Sequence, residues 1–150
     1  MPDTTSQNIP PGTVLDVVSF EVEAGKVREF ARATHAMDSV HVDPEAAGYP
    51  GVLATPTHVV VAGHHRNQRE FVAALGLAIE RVVVGAVDWE YARPLATGDR
   101  LTGTRRVVDD TVREGKRGGT MRLVTLETQW VDAAGDVAVT QREVLIERGV

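Results

Sequence analysis

Residues 57–75, THVVVAGHHRNQREFVAAL, are predicted to form the buried helix around which the chain folds. Its first turns, residues 59–62, are wholly apolar, and a helix that is apolar all round has to be covered on every side. Thr55 or Thr57 can cap its first turn, and Gly76 fits its end. The stretch therefore predicts one long helix packed against a sheet.

Four strand-like runs follow this helix and one precedes it. The later runs are joined by short turns, which is typical of an antiparallel meander. The run 79–91 is apolar on both faces, so it is predicted to lie in the centre of the sheet. A single sheet leaves open edges, and dimerisation is one way to cover them. The predicted strands are residues 14–22, 79–91, 100–109, 120–131 and 137–147.

The N-terminal region is predicted to be a flexible tail over residues 1–12, followed by a single domain over residues 13–150. The tail contains three prolines, one glycine and many polar residues. Residues 24–34 place apolar side chains on one face of an amphipathic helix. Asp43-Pro44-Glu45 is a helix-start signal, which predicts a short helix that ends at Gly48.

Composition excludes several classes of protein. The chain has 150 residues, a net charge of -5 and no cysteine, so disulfides and a cysteine nucleophile are ruled out. No basic face suggests a nucleic-acid binder, and no apolar run is long enough to span a membrane. A cytoplasmic location is the default expectation. The densest basic cluster is predicted to be a solvent-exposed hairpin, and it consists of Arg105, Arg106, Arg113, Lys116, Arg117 and Arg122.

Three stretches together carry a family resemblance. They are residues 20–33 (FEVEAGKVREFARA), 41–56 (HVDPEAAGYPGVLATP) and 91–101 (YARPLATGDRL). In this order and spacing the chain resembles the MaoC-like hydratases and dehydratases, especially the N-terminal dehydratase type. The resemblance spans residues 13–148. It implies an α+β class and the hot-dog fold, in which an antiparallel sheet wraps around one long central helix.

The resemblance also implies a site at His41. The family motif Asp-x-Asn-Pro-x-His, laid on this chain, puts its histidine on His41, its asparagine on Asp38 and its aspartate on Ala36. Alanine transfers no proton, so the usual Asp-His pair is broken. His41 is the candidate base because imidazole titrates near neutral pH, and Asp38 is the candidate helper. Neither a metal nor a cofactor is expected.

Substrate contacts are predicted around the start of the long helix. The N-terminus of a helix presents N–H groups that stabilise an oxyanion. In the active hydratases a glycine amide looks like the donor, whereas Pro56 has no N–H here. The Thr57 amide or hydroxyl is the substitute, and His58 and Tyr49 are further candidates for substrate binding.

The sequence leaves several functions open. The first is a hydro-lyase that reversibly hydrates a 2-enoyl thioester of CoA or carrier protein, with His41 as base. The second is a non-catalytic hot-dog subunit that pairs with an active dehydratase. A biosynthetic dehydratase or cyclase on a non-thioester molecule and a thioesterase using Glu70 or Glu80 are the others. The expected partners are the acyl thioester and a hot-dog subunit, as homodimer or heterodimer.

Overall fold

The computed structural model describes residues 8–43, 45–46, 48 and 51–149, which form one five-stranded antiparallel sheet with short helices. The strand order across the sheet is β1-β3-β4-β5-β2. The strands are β1 (Val14–Glu21), β2 (Val82–Tyr91), β3 (Arg100–Glu114), β4 (Thr120–Val131) and β5 (Val137–Arg148). The helices are α1 (Ala24–Ala33), α2 (Ser39–Val42), a 3₁₀ segment (His58–His65), α3 (Gln68–Ala74) and a 3₁₀ turn (Ile79–Arg81).

The single helix predicted over residues 57–75 is found as two helical pieces, the 3₁₀ segment and α3. Three consecutive valines and Gly63 are poor α-helix formers, which accounts for the tighter first piece. Asn67 then starts α3, because its side-chain oxygen accepts the Glu70 N–H at 3.2 Å. This cap within the predicted helix is the signal that marks the break.

The two pieces fill two neighbouring apolar clusters beneath the sheet. Val59 and Ala62 of the 3₁₀ segment pack with Phe20 and Trp130, whose rings meet edge-on at 5.2 Å. The Trp130 side chain is fully buried. The second cluster joins residues 71–77 to the inner faces of β3, β4 and β5. Helical core residues therefore line the sheet from one end to the other.

Strand β2 lies at an edge of the sheet, so the prediction that residues 79–91 form a central strand is wrong. Within the described residues β2 pairs only with β5. Two of its valines are exposed, Val83 at 38% and Val84 at 61%. An apolar run on both faces is typical of a central strand, but it is equally typical of an edge that another chain covers.

Two arginines of the predicted solvent-exposed hairpin are buried, which corrects that prediction. Arg122 donates to both carboxylate oxygens of Asp110, at 2.8 and 2.6 Å. Burial opposes ionisation of Asp110, but the hydrogen bonds from Arg122 and from the Ile9 N–H prevail and lower its pKa. Arg105 pairs with Glu143 at 2.8 Å and also with Asp16. Alternation along the strands turns these two side chains inward.

The last residues of the predicted tail contact the sheet. The Ile9 N–H donates to Asp110 at 2.7 Å, and the Gly12 N–H donates to the Val107 carbonyl at 2.8 Å. Gly12 has a φ of 88°, a backbone conformation that glycine adopts without strain. A four-residue helix precedes Asp43, at Ser39–Val42. Glu45 and Ala46 lie in a turn, and Pro44 and Ala47 of the short helix predicted after Asp43 lie outside the described residues.

Candidate functional site

His41 is the third residue of α2, and its ring is oriented by a backbone carbonyl. Its Nδ1 lies 2.8 Å from the carbonyl oxygen of Leu53. A carbonyl oxygen only accepts hydrogen bonds, so Nδ1 carries the hydrogen. In the neutral ring Nε2 then keeps its lone pair, which is the state that a general base needs.

A cavity of about 420 Å³ borders this imidazole. Residues 53–56 line one side and residues 91–95 line the other. The two walls are joined by backbone hydrogen bonds, since the Ala54 N–H donates to the Leu95 carbonyl at 2.8 Å and the Thr97 N–H donates to the Val52 carbonyl at 3.1 Å. The walls of the cavity therefore hold each other in place.

Gly51 permits this close approach of the two walls. A Cβ at Gly51 would lie 2.8 Å from the Cβ of Thr97, closer than side chains tolerate. The turn beyond the second wall is held by Arg93, which donates to Asp99 at 2.7 Å and to Asp132 at 3.2 Å. Asp99 also accepts a hydrogen bond from the Ala96 N–H at 2.9 Å, so its carboxylate stabilises this turn.

Tyr91 is a cavity residue that the sequence analysis did not single out. Its hydroxyl donates a hydrogen bond to the carbonyl oxygen of Pro56, which lines the opposite wall of the cavity. Burial raises the pKa of Tyr91 to about 12, so the hydroxyl stays protonated at neutral pH. Its position depends on the pairing of β2 with β5, which no local motif reveals.

Thr55 also lines the cavity, and its buried hydroxyl has no hydrogen-bond partner among the described residues. Pro56 lies beside it at the cavity wall. Thr57 is exposed at the start of the 3₁₀ segment, and its side chain makes no capping hydrogen bond. The polar groups at this wall are therefore the Thr55 hydroxyl and the backbone around Pro56.

The predicted acidic helper lies away from this space. Asp38 is exposed at the start of α2, and it is not among the residues that line the cavity. Ala36 is half-buried and offers no acid. Within the described residues, the cavity wall contains no carboxylate. Tyr49 lies outside the described residues.

His58 is fully buried, and it does not line the cavity at His41. Its ring meets Phe30 edge-on at 5.5 Å, and neither ring nitrogen has a hydrogen-bond partner among the described residues. Burial, with a smaller contribution from the nearby Lys26 charge, lowers the pKa of His58 to about 4. The imidazole is therefore neutral at neutral pH.

The described residues contain no cluster of three or more histidine, aspartate or glutamate side chains that could hold a metal ion. His64 and His65 are both exposed at the end of the 3₁₀ segment. In the part of the chain that the structure describes, no helix is long and apolar enough to cross a membrane.

The sequence matches the FAS1-like dehydratase domain region over residues 10–141, and the chain belongs to this family of MaoC-like hot-dog proteins. A UPF0336 protein of Clavibacter michiganensis is 39% identical over 143 residues, which cover 92% of this chain and 93% of the relative. Family membership explains the order of the three stretches in residues 20–33, 41–56 and 91–101.

Solved structures confirm the hot-dog fold. A MaoC-like dehydratase superposes with a TM-score of 0.78 at 24% identity, over 97% of this chain and 43% of its own. The HadBC complex of Mycobacterium tuberculosis, a 3R-hydroxyacyl-ACP dehydratase, superposes with a TM-score of 0.68 at 20% identity, over 85% of this chain and 89% of its own. At these identities the likeness shows the shared fold alone.

Proposed function

We propose that this chain is the acyl-binding subunit of a hot-dog dehydratase, in which a second hot-dog subunit supplies the acid–base pair. The observation that carries the proposal is the cavity at His41, whose described wall contains no carboxylate. Ala36 occupies the position where the family motif has its aspartate. The cavity is largely apolar on both walls, which suits a hydrocarbon chain.

The reaction of the family requires both an acid and a base. Water adds its oxygen to the β-carbon of a 2-enoyl thioester, and a proton is delivered to the α-carbon. One well-placed acid or base contributes about 10²–10⁴-fold to the rate. A cavity with His41 and no carboxylate therefore retains at most part of this catalysis.

The exposed edge of β2 is the proposed site of the partner subunit. Val84 is 61% exposed and Val83 is 38% exposed, although both belong to an apolar strand. Unpaired backbone groups at such an edge bind another strand. The HadBC complex named above is itself an assembly of hot-dog subunits, which supports a heterodimer for this chain. A homodimer would cover the same edge.

A self-sufficient hydratase is the second candidate, and the orientation of His41 favours it. Its Nδ1–H donates to the Leu53 carbonyl, so Nε2 is ready to take a proton from water. In this case His41 would act without the usual aspartate, and the protonated Tyr91 hydroxyl belongs to the wall of the same cavity.

The two candidates are separated by hydration of crotonyl-CoA, followed as loss of the enoyl absorbance. For the acyl-binding subunit we expect no hydration by the purified chain, but activity when it is coexpressed with a hot-dog subunit that has the Asp-His pair. His41→Ala in this chain should then change the activity of the mixture by about twofold or less. Hydration by the purified chain that disappears in His41→Ala would establish the second candidate instead.

A further inference from the structure

The cavity at His41 has two distinct ends, because its walls run in opposite directions. At one end Leu53 pairs with Ala96 in an antiparallel bridge, and the Leu53 carbonyl is the acceptor for His41 Nδ1. At the other end the Tyr91 hydroxyl donates to the Pro56 carbonyl. His41 and Tyr91 therefore lie at opposite ends of the cavity.

A second cavity, of about 270 Å³, follows the Tyr91 end. Trp89 borders it, and two residues of a strand span about 7 Å, so Trp89 is the next side chain of β2 on the same face as Tyr91. On the other wall Val59 borders the second cavity, three residues after Pro56. Tyr91 and Pro56, which line the first cavity, therefore lie between the two spaces.

The Tyr91 side chain is held at both of its ends. Its backbone belongs to β2, where Tyr91 pairs with Val139 of β5. Its hydroxyl is bound to the Pro56 carbonyl, and it stays protonated at neutral pH because burial raises the pKa of Tyr91 to about 12. Between these two points the side chain packs against the apolar cluster of Phe20 and Trp130. A ring fixed in this way closes the end of the first cavity.

We propose that Tyr91 ends the acyl pocket and so limits the length of the acyl chain that the protein binds. The proposal rests on the proposed acyl-binding function, and it narrows the substrate class to chains that fit between His41 and Tyr91. A smaller residue at position 91 would join the first cavity, of about 420 Å³, to the second. The apolar side chains of Val59 and Val87 would then receive the end of a longer chain.

The test is calorimetric titration of the full chain with straight-chain saturated acyl-CoA thioesters of increasing length. For the wild-type protein, we expect binding to tighten about threefold with each added methylene until the chain reaches Tyr91, and then to stay constant. In Tyr91→Leu and Tyr91→Ala the tightening should continue for about two further methylenes or more, because the second cavity becomes accessible. Tyr91→Leu is the milder change, since it keeps an apolar side chain against the core.

The matched control is Glu90→Ala, which removes the neighbouring exposed side chain on the opposite face of β2. This variant should keep the wild-type limit. The limiting length separates specificity from folding, because a partly unfolded sample weakens binding of all chain lengths equally.

The same limiting length in wild type, Tyr91→Leu and Tyr91→Ala would overturn the proposal. A wild-type affinity that continues to rise with every added methylene would also overturn it. Equal affinity for all chain lengths, or binding of no thioester, would instead reject the acyl-binding function on which it rests.

Discussion

His41 and His58 illustrate how strongly position determines the chemistry of one residue type. His41 borders a cavity and donates from Nδ1 to the Leu53 carbonyl, which leaves Nε2 free. His58 is buried against Phe30 with both nitrogens unpaired among the described residues. The first arrangement suits proton transfer, whereas the second keeps an imidazole neutral.

Replacement of His58 by leucine tests this difference through the pH dependence of stability. Its pKa of about 4 in the fold lies below the ordinary value of 6.5. The unfolded chain therefore binds the extra proton between these values, and wild-type stability is lost as the pH falls from 6.5 toward 4. We expect about 2–3 kcal/mol of this loss to disappear in His58→Leu, by urea denaturation across this range.

The matched control is His65→Leu, which removes an exposed histidine from the same segment. This variant should keep the wild-type pH dependence. At pH 7, His58→Leu should unfold with at least the wild-type free energy, because leucine leaves no buried polar atom unpaired. An equal loss of stability toward pH 4 in wild type and His58→Leu would contradict the assignment.

At the scale of elements, two glycines have opposite structural requirements. Gly103 of β3 faces the Trp130 ring, and a Cβ there would lie 2.5 Å from two ring carbons. Gly25 of α1 has open space around its Cα. The first glycine is needed for close packing, whereas the second only weakens a helix.

Alanine at these two glycines should therefore change stability in opposite directions. Gly103→Ala is expected to lower the free energy of unfolding by about 1–3 kcal/mol, because Trp130 is fully buried and has no room to shift. Gly25→Ala is expected to raise it by up to about 1 kcal/mol through helix propensity. Urea denaturation measures both, and a loss of stability in both variants would refute this explanation.

At the scale of the whole molecule, the exposed apolar edge of β2 is the feature that a single chain leaves unexplained. Strand β5 covers one side of β2, and no described residue pairs with the other side. Val84 and Val87 of this strand also border a cavity of about 270 Å³. Assembly with a second hot-dog subunit through this edge would cover it.

Val84→Lys should weaken this assembly, because a lysine at a strand edge opposes pairing with another strand. We expect the dissociation constant of the dimer to rise at least tenfold, whether the partner is a second copy or another hot-dog subunit. Light scattering at decreasing concentration measures the change. Val112→Lys, at a 49% exposed valine of β3, should leave the dimer intact. Equal masses for both variants would place the interface elsewhere.

The sequence alone determined those helices and strands that have a local signal in the order of their residues. Alternating apolar residues predicted the bounds of strands β4 and β5 to within one residue. The three family stretches predicted the hot-dog fold and a site at His41. These signals are readable because periodicity and motif spacing are local properties of a chain. The Asn67 cap is also a local signal, but the apolar run before it favoured one continuous helix over residues 57–75.

Only the tertiary structure decided where those elements lie and which polar groups lack partners. Strand order put β2 at the edge of the sheet, although its composition suits the centre. Strand register brought Tyr91 to the carbonyl of Pro56, and packing buried Arg66 and Arg105 between carboxylates. These outcomes depend on contacts between residues far apart in the chain, so no local pattern of residues specifies them.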